Sequence, residues 1–241
     1  MDKWSFNDSF IWQNNHPECG NNKQSPINID TDLIKECNTL CDFDLIYKNS
    51  KCFINYKNNN IRIKYSTGSY FKYQDVLYEL KEITIHTPSL HSIDGEKYDL
   101  EICLVHSLDG NSSTSNGIML CCLFESGPHH GEPEQFINQI INEIPIEEIN
   151  YDKEINVSET WGVNMILPEN KSFFTYEGSL PYPPCTEKYN VFVFETIGKI
   201  GTTNINMFKE YIGKNIRKIQ PLNDRTVFYK SKIKNNKSSS N

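Results

Sequence analysis

Residues 80–106 read LKEITIHTPSLHSIDGEKYDLEICLVH, and the rest of the 241-residue chain is organised around them. Two runs rich in β-branched and apolar residues flank a turn-like middle, Ser92–Lys97. Side chains alternate between the faces of a strand. Thr84 and His86 therefore share one face of the first run, with Ile83 and Ile85 on the other. In the second run Glu101, Cys103 and Val105 share a face opposite Ile102, Leu104 and His106. If the two strands pair, Thr84, His86 and Cys103 meet. Cys103 and His106 have C-x-x-H spacing, but on a strand they point to opposite faces and do not chelate one ion.

Strand-like runs recur outward from this stretch. Upstream lie Phe43–Tyr47, Cys52–Tyr56, Ile61–Tyr65 and Val76–Leu80; in the third, Ile61, Ile63 and Tyr65 alternate with Arg62 and Lys64. Downstream lie Gly117–Phe124, an apolar run read as a central strand, then Val191–Ile197 and Thr226–Lys230. The period changes at Pro133–Ile144, where Phe136, Ile137, Ile140, Ile141 and Ile144 fall on one helical face with Pro133 in the first turn. Asn204–Ile212 reads as a second short helix capped by Asn204. Trp4–Lys23 reads as an irregular arm laid over a core, and residues 145–170 and 173–184 read as loops. No internal repeat or domain boundary appears. The expectation is one sheet-dominated α+β domain over residues 1–230, with a basic, polar tail at 231–241 expected to be disordered.

A net charge of −7 argues against nucleic acid, anionic lipid or sulfated sugar as the main partner. No apolar run is long enough to span a bilayer, and MDKWSFNDSF lacks the apolar core of a signal peptide. The eight cysteines lack tight metal spacing; Cys103, Cys121 and Cys122 read as buried thiols. Sequons at Asn111 and Asn156 arise easily in so Asn-rich a chain, and His129 and His130 read as surface residues in a loop.

Further blocks complete the pattern: QSPINI at 24–29, HSID at 91–94, KYDLEICLVH at 97–106, FTYEGSLPYPPCTE at 174–187 and QPLNDR at 220–225. In this order and at these spacings they resemble the α-class carbonic anhydrases from Trp4 to about Lys230. The resemblance implies a large, twisted, mostly antiparallel sheet bearing a conical pocket. The family's zinc is held by three histidines with a fourth position open to water, whose pKa the ion lowers to about 7. The matching positions here are Thr84, His86 and Cys103, so one histidine of three is kept. The supporting residues differ too. Pro181 stands where the family has the threonine that orients the zinc-bound hydroxide, Leu90 where it has the glutamate holding that threonine, and Glu82 where it has an amide. The proton-shuttle position falls near Asn58–Asn60. Glu101 matches a carboxylate that steadies a ligand imidazole; with Cys103 in that ligand's place it is expected to have no imidazole to hold.

What the resemblance keeps is structural: a buried His91–Tyr176 hydrogen bond, Arg217 and Arg225 anchoring the C-terminal segment, and a disulfide between Cys19 and Cys185, which implies an oxidising compartment. The expectation is a non-catalytic carbonic-anhydrase-related binding or structural module without zinc. Its place is extracellular, on a cell surface or on a virion surface, and its partner a protein or glycan of unknown identity. It is similar in this to acatalytic family members, among them receptor ectodomains and a poxvirus virion-surface protein. The alternative is a carbonic anhydrase with a rebuilt site in which Glu82 or Glu101 joins His86 and Cys103.

Overall fold

A computed structural model describes residues 4–57, 60–108, 115–128, 131–144 and 153–232. The expectations at Asn58, Asn59, Asn111, His129, His130, residues 145–152 and the tail from 233 lie outside the described residues.

One large sheet dominates. Its strands run, edge to edge, Lys153–Trp161, Ser50–Lys57, Asn60–Tyr65, Val76–His86, Leu100–Ser107, Gly117–Ser126, Tyr189–Phe194, Phe173–Gly178, Phe228–Lys230 and Lys35–Glu36. Most neighbours are antiparallel. Gly117–Ser126 with Tyr189–Phe194 and Phe228–Lys230 with Lys35–Glu36 are parallel pairs. The Val76–Leu80 and Leu80–His86 runs form a single strand of 11 residues, with an irregularity between Leu80 and Glu82. The Asp94–Gly95 step turns with φ of 49° and 83°, the left-handed pair that an Asp-Gly turn favours.

Alternation along the central strands divides the interior in two. Ile102, Leu104, Leu120, Phe192 and Phe173 face a larger core closed by two helices, Glu132–Glu143 and Thr202–Ile212. Phe136, Ile137 and Ile140 of the first helix are fully buried, each worth roughly 1.5–3 kcal/mol of transfer free energy. Cys103, Val105, Cys121, Val193 and Tyr176 face a smaller core closed by the N-terminal arm and the 180–185 loop. Because both faces are covered, Leu100–Ser107 is buried at every position.

Four local expectations are corrected. Lys153–Trp161, read as part of a loop, is a strand against Ser50–Lys57 whose register shifts between Asn156 and Thr160; the charged Glu159 interrupts the apolar series Ile155, Val157, Trp161 that would have marked it. Phe173–Gly178, read as the start of a loop, is a strand whose two neighbours supply its hydrogen bonds. Asn204 does not cap its helix: Gly201 is the N-cap, and the Asn204 amide is turned inward to Glu134 and Asn138. The N-terminal arm is not wholly irregular, since 3₁₀ turns flank a one-turn helix, Trp12–Asn15.

Candidate functional site

The strands Val76–His86 and Leu100–Ser107 pair antiparallel with Thr84 opposite Cys103 and His86 opposite Glu101. Directly opposed residues share a face. The row continues to Arg62 on one side and Cys121 on the other. Thr84, His86, Glu101 and Cys103 are thereby brought together, and each is 0% exposed.

Both nitrogens of His86 are engaged. Nδ1 lies 3.0 Å from the Asn215 carbonyl oxygen and Nε2 lies 3.0 Å from Thr84 Oγ1. A carbonyl only accepts, so the network assigns the ring proton to Nδ1 and leaves Nε2 accepting the Thr84 hydroxyl. Burial lowers the His86 pKa to about 4 against the opposing bond to Asn215, so the ring is neutral at pH 7. The edge of Phe6 meets it with centroids 5.8 Å apart.

Cys103 is a thiol. Burial raises its pKa to about 12. Its Sγ is 3.3 Å from Cys121 Sγ, directly across the strand pair, and 3.4 Å from Glu101 Oε1. Glu101 is ionised: burial works against the charge, but His91's charge and hydrogen bonds outweigh it and bring the pKa to about 2. Its Oε1 accepts from His91 Nδ1 at 2.7 Å and its Oε2 from the His91 backbone N–H at 2.8 Å. The expectation that Glu101 has no imidazole to hold is corrected: it holds His91 instead.

From His91 the polar chain runs on. Nε2 is 2.7 Å from Tyr176 Oη, that hydroxyl is 2.9 Å from Ser25 Oγ, and Ser25 Oγ accepts the Ser179 N–H at 3.0 Å. The HSID, EGSLP and QSPINI blocks are thus wired together inside the protein. Arg217 donates to Gln24 Oε1, to the Ser25 carbonyl and to the Cys19 carbonyl, tying the C-terminal segment to the arm. Cys19 and Cys185 are disulfide-bonded with Cα atoms 5.0 Å apart. A second disulfide, Cys37–Cys41, was not signalled by any motif.

The mouth above His86 is filled. Glu82 accepts a 2.6 Å hydrogen bond from Tyr182 Oη and faces Arg62 Nη1 at 3.8 Å. Arg62 lies over the Tyr182 ring at 4.2 Å, and the Trp4 ring lies parallel to that of Tyr182, with centroids 6.2 Å apart and planes 3° from parallel. Leu90 is fully buried in the smaller core and Pro181 is buried beside Leu180. Trp4, Phe6, Arg62, Asn215 and Cys121 are the contributors that sequence reasoning missed. The reading of Trp4–Lys23 as an arm laid over a core pointed to a cover without naming its contacts; nothing local marked Asn215. His106 lies on the opposite face, with Nε2 2.8 Å from Tyr47 Oη, so it does not converge with Cys103. Among the described residues, one donor atom each from His91, Glu101 and Cys121 lies within 4.8 Å of the others.

Residues 7–231 match the family model for eukaryotic-type carbonic anhydrase. Dioscorin DB3L of Dioscorea polystachya is 29% identical over 238 residues, covering 93% of this chain and 83% of that protein. A carbonic anhydrase of Nostoc sp. is 30% identical over 210 residues, covering 85% and 75%. The crystal structure of dioscorin complexed with ascorbate superposes with a TM-score of 0.81 at 26% identity, over 97% of this chain and all of that one. With the sheet, the wired blocks and the covered pocket floor in place, these likenesses establish that the chain belongs to the eukaryotic-type carbonic anhydrase family.

Proposed function

We propose that this family member does not hydrate carbon dioxide and serves as a binding or structural module. The observation that carries the reading is the state of His86: its lone pair is taken by Thr84 and its ring is covered by Phe6. A catalytic zinc needs three protein donors and an open position for water. The residues present do not fit that ion. Thr84 offers a neutral hydroxyl already donated to His86, and Cys103 offers a buried thiol whose proton is held to about pH 12. Pro181 carries neither hydroxyl nor N–H with which to orient a nucleophile.

Carbonic anhydrase relatives keep the enzyme as the second reading. It requires a third donor, and both candidates are engaged elsewhere: Glu82 with Tyr182 and Arg62, Glu101 with His91. Two disulfides support an extracellular, cell-surface or virion-surface place for the module, with a protein or glycan as partner. Among the described residues no helix is long and apolar enough to cross a membrane. The test is metal analysis and stopped-flow carbon dioxide hydration on protein purified without chelator. Background zinc and no turnover are expected; stoichiometric zinc together with turnover overturns the reading.

A further inference from the structure

A concavity opens on the other side of the sheet from Thr84, His86 and Cys103. It is a cleft of about 870 Å³, within the size range of small-ligand sites. Its floor is a set of cross-strand neighbours. Thr175 lies opposite Phe192 on one side and Phe228 on the other, and Glu177 lies opposite Asn190. Phe173, Thr175 and Glu177 share the face that carries Phe192 and the larger core. Tyr73, whose ring meets Phe192 edge-on at 5.3 Å, forms a wall.

Three features of this floor point to a ligand. Thr175 is only 6% exposed and lines the cleft, and no hydrogen bond engages its hydroxyl among the described residues. The half-buried Asn190 side chain, which offers both a donor and an acceptor, is likewise unpartnered among the described residues. Phe228 leaves 38% of its surface exposed beside them. The cations of the lining are already engaged. Lys23 Nζ pairs with Glu177 Oε2 at 2.6 Å, and Arg225 gives its N–H groups to the carbonyls of Leu222, Glu177 and Pro221. Glu36 and Asp224 add carboxylates to the lining.

We propose that this cleft binds a neutral oligosaccharide. Paired donor–acceptor groups match vicinal hydroxyls, and the negative face of an aromatic ring receives the weakly positive C–H face of a pyranose. The surplus of carboxylates over free cations turns sulfated and phosphorylated ligands away. The proposal deepens the binding-module reading and rests on it.

The experiment is an array of neutral oligosaccharides, sulfated oligosaccharides and an oligolysine peptide, probed with the full chain and followed by titration of the hits. Asn190→Leu, Thr175→Val and Phe228→Ala are compared with Lys64→Ala, a distant surface change, after thermal melts confirm that each is folded. Neutral oligosaccharides are expected to bind, about tenfold more weakly to Asn190→Leu and Phe228→Ala and unchanged with Lys64→Ala. No neutral hit, preference for the sulfated or oligolysine probes, or insensitivity to the cleft substitutions overturns it. Zinc-dependent turnover in the same preparation sinks the non-catalytic reading and leaves the cleft result to stand by itself.

Discussion

Acidification reports directly on whether the pocket floor is sealed. The ordinary histidine pKa of 6.5 is lowered to about 4 at His86, chiefly by burial. The folded state therefore refuses a proton that the unfolded chain accepts. Stability is whole above about pH 6.5, falls as the pH drops through the window between, and has lost this contribution below about pH 4. The gap amounts to at most about 3.4 kcal/mol, of which about 2 kcal/mol is lost between pH 7 and pH 5. Guanidinium unfolding of the wild type and of His86→Gln at both pH values isolates this term, because Gln does not titrate. The wild type is expected to lose about 2 kcal/mol more than the variant. In parallel, the ring resonances of His86 are expected to stay unshifted to about pH 5. Titration near pH 6.5, with equal pH sensitivity of the two proteins, would refute the claim that Thr84 and Phe6 keep water from the ring.

Two further outcomes follow from the same geometry. Replacing Cys19 and Cys185 together by serine releases a loop closed over a sequence separation of 166 and is expected to cost up to about 5 kcal/mol by denaturant unfolding; a change under about 1 kcal/mol refutes a stabilising role. Glu101→Gln removes the charge that His91 leans on and is expected to cost about 2 kcal/mol at neutral pH. Because the Glu101 pKa is lowered to about 2, the wild-type advantage should fade as the pH drops below about 4.5, and an advantage that is independent of pH refutes the assignment.

Period alone exposed much of this molecule. Strict alternation in Leu80–His106 placed Thr84, His86 and Cys103 on one face, because a strand's side-chain period is a local property of its backbone. The helical face of Phe136, Ile137 and Ile140 was legible for the same reason. Ordered blocks such as QSPINI and HSID carried the family, and each is held by partners far along the chain. Three things were not legible. Glu159 hides the Lys153–Trp161 strand by interrupting its apolar series, and the shifted register at Asn156–Thr160 is set by the neighbour rather than by the segment itself. Glu101's new partner depends on His91 being delivered by a loop ten residues away. The back cleft is assembled from Tyr73, Thr175, Asn190 and Phe228, which no motif connects. The residue types at positions 84, 86 and 103, a threonine, a histidine and a cysteine, were determined by the sequence by itself. Whether those residues face water or each other was decided only by the tertiary structure, because burial and hydrogen-bond partnership are properties of what packs on top.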